Sequence, residues 1–164
     1  MIDVENMKLE ELLAMAIRAE MDAKDTYARI AEKVDNFVLK DRLKFLSAEE
    51  EKHRRIFTGI LKRKFPNNSV KIPESGEVPL PDVKFDDEMV HISEVLQQAM
   101  DAEMAAHDFY AAMRDRAEDE EVKKVLDYLS SAEMGHYYLL ETEIKAVKYA
   151  ELFDEYNEMM HVGP

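Results

Sequence analysis

A thirteen-residue stretch of this chain recurs 83 positions later. Between residues 16–28 and 99–111 eight of thirteen positions are identical: Ala16/Ala99, Ala19/Ala102, Glu20/Glu103, Met21/Met104, Ala23/Ala106, Asp25/Asp108, Tyr27/Tyr110 and Ala28/Ala111. The same offset, without a gap, pairs Lys40/Lys123, Leu43/Leu126, Leu46/Leu129, Ser47/Ser130, Glu50/Glu133 and His53/His136. Two copies of one unit are therefore expected, and shared packing accounts for the matched Leu and Ala. It does not account for the matched Glu and His.

The unit reads as a helical hairpin. Leu9, Leu12, Leu13, Ala16, Ala23, Tyr27, Ile30 and Val34 recur at three and four, the spacing of one helix face, and Leu39, Leu43, Leu46, Phe57 and Ile60 form a second such stripe. Asp35-Asn36 supplies the turn and a cap between them. Ile92, Val95, Leu96, Ala99, Ala106, Tyr110 and Met113 give a third helix, and Val122, Leu126, Leu129, Leu140, Ile144 and Val147 a fourth, with Glu118-Asp119 at their connection. No segment alternates with period two. The expected fold is one all-α domain, a four-helix bundle of two hairpins at about residues 8–64 and 88–148. A crossover at about 65–87, holding Pro66, Pro73, Gly76, Pro79 and Pro81, would span the bundle between them. Residues 149–164 form a C-terminal extension. Its Leu152, Phe153, Tyr156, Met159 and Met160 are out of phase with the fourth helix, so a short fifth helix or a bent extension is expected.

Composition narrows the chemistry. The 164 residues contain no Cys, which leaves no disulfide, no thiolate nucleophile and no sulfur ligand, so any metal must be held by oxygen and nitrogen. Asp plus Glu number 36 against 22 Lys plus Arg, a formal charge of −14 that repels phosphate backbones and anionic lipid. Neither nucleic acid nor a membrane is an expected partner. No run approaches the ~18 apolar residues of a membrane span, and the stretch from Met1 to Asn6 has no basic region before an apolar one, so the expected location is the cytoplasm.

The repeated Glu and His lie within the apolar stripes: Ala16–Glu20–Ala23–Tyr27, Leu46–Glu50–His53–Phe57, Ala99–Glu103–Ala106–Tyr110 and Leu129–Glu133–His136–Leu140. An unpaired buried carboxylate costs several kcal/mol, and four together exceed the ~5–15 kcal/mol that holds a domain folded. A positive charge must sit among them. Residues 20 and 50 are equidistant from the turn near 35, so at about 1.5 Å per residue both lie roughly 22 Å from it and meet at one level. Residues 103 and 133 repeat this about the turn near 118. Within each Glu-x-x-His the spacing of three puts both side chains on one helix face. With neutral imidazoles, four carboxylates balance two divalent cations. The mixed oxygen and nitrogen donors suit iron or manganese.

The pattern of Glu20, Glu50/His53, Glu103 and Glu133/His136 resembles that of the ferritin-like di-iron carboxylate proteins, and within them the rubrerythrin family, over roughly residues 9–147. The resemblance implies a ferritin-like fold in which Glu50 and Glu133 bridge two iron ions, Glu20 and His53 completing one and Glu103 and His136 the other. It implies that Tyr27 and Tyr110 hydrogen-bond near the site. It further implies an oxidoreductase of peroxidase or ferroxidase type, with hydrogen peroxide or dioxygen as oxidant, in a homo-oligomer for which a dimer is favoured. The alternative is iron binding for storage or trafficking without turnover. Two features depart from rubrerythrins: the extra carboxylate one turn after the third-helix Glu is Ala106 here, and no Cys is present to build the iron domain that delivers electrons. An external electron donor is therefore expected. The symmetric ligand set is equally similar to the ferroxidase site of bacterioferritins.

The remaining candidates have plainer readings. Tyr27 and Tyr110 also suit core aromatics whose hydroxyls find a partner. His107 follows Glu103 by four, but its counterpart is Lys24, which points to a solvated flank. His91 and His161 have no carboxylate at ligand spacing and read as surface residues. Glu49 and Glu51 fall on other helix faces, Glu118–Glu121 favours the start of the fourth helix through its dipole, and the 11 Met suit packing.

Overall fold

A computed structural model describes residues 6–67, 70–76 and 91–161. Residues 77–90 with 68–69, and so Pro79, Pro81 and most of the expected crossover, lie outside the described residues, as do 1–5 and 162–164. Four helices follow in order: α1 (Leu9–Lys33), α2 (Phe37–Lys64), α3 (Ile92–Arg116) and α4 (Glu120–His161). No strand occurs among the described residues, and none of these helices is long and apolar enough to cross a membrane.

Local chemistry sets the helix starts. The Glu11 side chain accepts the Lys8 N–H at 2.9 Å, Asn36 Oδ1 accepts the Leu39 N–H at 3.0 Å, and Asp119 Oδ1 accepts the N–H groups of Glu121 and Val122 at 2.9 and 3.1 Å. Each satisfies donors that the first turn of a helix leaves free. Α1 packs along α2 and α3 along α4, and the two hairpins meet with α1 against α3 and α2 against α4. Of the crossover, Gly76 sits on α1, its N–H donating to Asp22 Oδ2 at 3.1 Å, while Arg18 holds the other oxygen of that carboxylate. A Cβ at position 76 would stand 2.6 Å from Asp22 Oδ2, so a larger residue there would have to displace the Asp22 carboxylate.

The core divides into two apolar clusters. One gathers Leu13, Ile17, Phe57, Met113, Leu126 and Leu129 at the end where α1 begins, the other Ile30, Leu43, Leu46, Leu96, Leu140 and Ile144 at the opposite end. The layer between them carries the repeated Glu and His.

Of the two expectations for the C-terminal stretch, a separate fifth helix is not found and an extension of α4 is. Nothing between Gly135 and Gly163 is a glycine or proline, so no residue breaks the backbone ladder, and the helix runs 42 residues, about 63 Å. α3 spans 25 residues, so the end of α4 extends past the bundle. Glu151 fixes its course: its carboxylate accepts the Ser93 N–H at 3.1 Å and the Ser93 hydroxyl at 2.6 Å, capping the start of α3.

Candidate metal centre

Each helix delivers its share of the layer between the apolar clusters: Glu20 from α1, Glu50 and His53 from α2, Glu103 from α3, Glu133 and His136 from α4. All six side chains are buried. The arms of equal length on either side of each turn bring them to one level.

The distances are nearly two-fold symmetric. His53 Nδ1 lies 3.1 Å from Glu50 Oε2, 2.9 Å from Glu133 Oε1 and 3.7 Å from Glu20 Oε2. His136 Nδ1 lies 3.1 Å from Glu133 Oε2, 3.0 Å from Glu50 Oε1 and 3.6 Å from Glu103 Oε2. Glu50 and Glu133 thus each reach both imidazoles, whereas Glu20 reaches only His53 and Glu103 only His136. The imidazole rings stack at a centroid separation of 5.4 Å. One donor atom from each of Glu50, His53, Glu133 and His136 falls within 4.8 Å of the other three.

Tyr27 and Tyr110 join the layer from outside. The Tyr110 hydroxyl donates to Glu20 Oε1 at 2.5 Å and the Tyr27 hydroxyl donates to Glu103 Oε1, so each tyrosine holds the carboxylate of the other hairpin. Burial, followed by the nearby carboxylates, pushes both phenols well above their ordinary range and keeps them as donors. The readings as partnered core aromatics and as residues hydrogen-bonded near the site are both satisfied.

Burial and then the charge of Glu50 push Glu20 up to about 8, and burial is also the main cause that pushes Glu103 up to about 7. Burial alone would pull His53 down, but the nearby carboxylates of Glu133, Glu20 and Glu50 outweigh it and push the imidazole up to about 12. His136 is raised in the same way by Glu103, Glu133 and Glu50. The expectation of neutral imidazoles concerns the metal-bound site; in the metal-free layer the surrounding carboxylates favour protons on His53 and His136.

The donor set nonetheless fits a metal better than it fits protons. Glu133 Oε1 and Glu50 Oε1 stand 2.9 and 3.0 Å from Nδ1 of His53 and His136 without forming an aligned hydrogen bond, each ring nitrogen being shared with a second carboxylate, and His53 Nε2 is buried without a hydrogen-bond partner. Two protonated imidazoles thus leave oxygens aimed into the layer unsatisfied, which costs roughly 1–3 kcal/mol each. Mixed carboxylate and imidazole donors at this spacing are what a borderline divalent ion takes. Beside the carboxylates, on the α1–α3 side, lies a cavity of about 20 Å³, walled by Ala19, Ala23, Ala99, Ala102 and Ala106. It holds one molecule about the size of water.

The histidines outside the repeat pattern stand apart from the layer. His107 Nδ1 is 2.8 Å from the Ser130 carbonyl, and the Ser130 hydroxyl donates to the His107 carbonyl at 3.1 Å, which ties α3 to α4. His91 is half-exposed, 3.9 Å from Glu151, and the His161 side chain lies outside the described residues. Sequence reasoning passed over Ser47 and Ser130, although the repeat pairs them: the Ser47 hydroxyl donates to the Lys24 carbonyl at 3.0 Å, the counterpart of the Ser130 bond.

The rubrerythrin family profile matches residues 11–144, which contain all six of these Glu and His residues. The chain belongs to the rubrerythrin family. A hypothetical protein from Pyrococcus furiosus shares 34% identity with it at a TM-score of 0.82, over 90% of this chain and 94% of that one. A Thermotoga maritima protein, provisionally named a ferritin-like diiron-carboxylate protein, has the same fold at a TM-score of 0.70 and 21% identity, over 85% and 95% of the two chains. No curated protein sequence matches. As a rubrerythrin-family bundle with a buried Glu/His layer, the molecule carries a site that fits di-iron.

Proposed function

We propose that this layer holds two iron ions and that the protein is an oxidoreductase taking hydrogen peroxide or dioxygen as oxidant, of peroxidase or ferroxidase type. The observation that carries the reading is the paired reach of Glu50 and Glu133 to both imidazoles, with Glu20 and Glu103 each confined to one. In that assignment Glu50 and Glu133 would be shared between the ions, Glu20 and His53 would hold one, and Glu103 and His136 would hold the other. Iron held by these residues would supply two electrons to the oxidant. Manganese suits the same donors.

The rest of the work falls to the chain. Tyr27 and Tyr110 fix the orientation of the terminal carboxylates and stay protonated beside them. The cavity among the alanines has room for one molecule about the size of water, which suits dioxygen or hydrogen peroxide. The apolar clusters above and below keep bulk water from the layer. With no Cys to carry an electron-delivering cluster, the electrons that reset the site come from another molecule.

The near-symmetry of the donors also supports a second reading, iron binding for storage or trafficking without turnover. Rapid mixing of the anaerobic ferrous-loaded protein separates the two. The oxidase reading expects bound iron to be oxidised by hydrogen peroxide or dioxygen faster than free ferrous ion, with about two ions per chain by metal analysis. Oxidation no faster than free iron, at full loading, rejects turnover and leaves storage. Loading well below two ions rejects the dinuclear assignment.

A further inference from the structure

The cavity beside the carboxylates departs from the symmetry of the layer at one end. Five repeat pairs line it, among them Ala19/Ala102, Ala23/Ala106 and Tyr27/Tyr110. Thr26 and Ala99 line it as well, but their counterparts in the repeat, Phe109 and Ala16, do not. Both counterparts are buried in the apolar cluster at the end where α1 begins. The cavity therefore reaches toward the opposite end alone, where the first hairpin has a threonine at the position that the second gives to a phenyl ring.

Thr26 is 7% exposed, and it is the one polar residue of the wall that the centre does not engage. The Tyr27 and Tyr110 hydroxyls are held by Glu103 and Glu20, and Glu50 and Glu133 face the imidazoles. A threonine inside a helix commonly returns its hydroxyl to its own backbone. Thr58 and Thr142 do so, donating to the carbonyls of Arg54 and Tyr138 at 2.8 and 3.0 Å. The Thr26 hydroxyl makes no such bond and has no partner among the described residues. A buried hydroxyl left unpaired is costly, and beside this one lies open space for a molecule about the size of water.

We infer that Thr26 is the anchor of this cavity: its hydroxyl hydrogen-bonds the small molecule held there and, in the loaded protein, positions the oxidant and favours one that can pair with it. A hydroxyl offers one donor and two acceptor sites. Hydrogen peroxide both donates and accepts, so it answers each of them. Dioxygen has no proton to donate and accepts poorly. A buried polar group discriminates sharply against a guest that leaves it unpaired, whereas alanine methyl groups alone cannot tell two guests of like size apart. The choice between oxidants rests on the oxidase reading above; the anchoring of a guest by Thr26 does not.

Two variants and two measurements test it. Thr26→Val exchanges the hydroxyl for a methyl group, and Thr26→Ser keeps the hydroxyl. Crystals of the metal-free wild type and of Thr26→Ser are expected to show an ordered water in the cavity, within hydrogen-bond distance of the residue 26 hydroxyl, and crystals of Thr26→Val to show none. In rapid mixing of the ferrous-loaded protein, Thr26→Val is expected to slow oxidation by hydrogen peroxide at least ~10-fold and by dioxygen less than ~2-fold, with Thr26→Ser near the wild type and equal iron content in all three. A wild-type cavity without water on Thr26, a water that stays in place in Thr26→Val, a rate with hydrogen peroxide that Thr26→Val leaves unchanged, or a loss shared equally by both oxidants overturns the assignment. Wild-type oxidation no faster than that of free iron with either oxidant rejects the oxidase reading instead, and the water in the crystals then decides for or against Thr26 by itself.

Discussion

The two hairpins agree where chemistry constrains them and diverge where it does not. Their Glu-x-x-His pairs reproduce each other's distances to within 0.1 Å, and their tyrosines exchange equivalent bonds. Off the core stripe the match is broken: Asp22, which receives the crossover, has Ala105 as its counterpart, and Lys24 has His107. The helices that close the hairpins differ more, α2 ending at Lys64 and α4 running on to His161. A site built from two halves holds each half to the other's geometry. The outer faces carry no such constraint.

The largest effect should come from breaking that equality at its centre. Glu50→Ala and Glu133→Ala are each expected to take metal content from about two ions per chain to about one or fewer, because either carboxylate reaches both imidazoles. The two variants should fall together. Metal analysis after iron loading checks this, and two ions retained in either variant would falsify the ligand assignment.

Packing should be as even as ligation. Leu46 and Leu129 are equivalent in the repeat, fully buried, and belong to opposite apolar clusters flanking the layer. Replacing either by Ala should cost ~2–5 kcal/mol in urea unfolding of the metal-free protein, with the two within ~1 kcal/mol of each other. A cost of ~1 kcal/mol on one side and above ~3 on the other would show that one hairpin alone carries the fold.

Much of this was legible in the sequence, for identifiable reasons. The six Glu and His stood out because a charged residue inside an apolar stripe contradicts its surroundings, and the repeat showed the contradiction twice. The level at which they meet followed from equal helix arms about each turn. The destination of the tyrosine hydroxyls was harder to read: spacing places Tyr27 on the core face, but only packing decides that it reaches Glu103 of the other hairpin. The protonation of the metal-free histidines is not legible in the sequence, because the proton on His53 is set by three carboxylates from three helices. Whether the end of α4 is an extension or a separate helix stays open in the sequence because a change of apolar phase resembles a helix boundary. It marks instead a change in what the helix faces, with no residue that breaks it.

The proton balance gives a test in which the two halves act in the same direction. His53 is held at about 12 in the metal-free fold against 6.5 ordinarily, so its contribution is complete below about 6.5 and is lost as pH rises toward 12. Glu20 and Glu103, raised to about 8 and about 7 from 4.5, likewise favour the fold at low pH and lose that contribution as pH rises through those values. Metal-free protein should therefore lose roughly 5 °C or more of Tm between pH 6 and pH 9. Loading with metal, which takes the ligands deprotonated, should flatten or reverse the slope. Calorimetry of both forms across that range decides, and a metal-free Tm that rises with pH would reject the protonated layer.

The smallest expected difference lies where the halves have begun to part. Ser47 and Ser130 each donate a hydroxyl across their hairpin to the carbonyl of residue 24 or 107, at 3.0 and 3.1 Å. Ser130 is fully buried and also stands 2.9 Å from His107 Nδ1, whereas Ser47 is partly exposed and faces Lys24, whose side chain turns to solvent beside Asp25 and Glu51. Water can replace the hydroxyl of Ser47 but not that of Ser130. Ser47→Ala should therefore cost ~0.5 kcal/mol and Ser130→Ala ~1–2 kcal/mol in denaturant unfolding, both with full metal content. Adding His107→Lys to Ser130→Ala, which restores the residue of the first hairpin, should cost less than the separate effects summed, because the two side chains share one network. Strict additivity would show that His107 and Ser130 are neighbours without being coupled, and that this divergence between the hairpins has no energetic content.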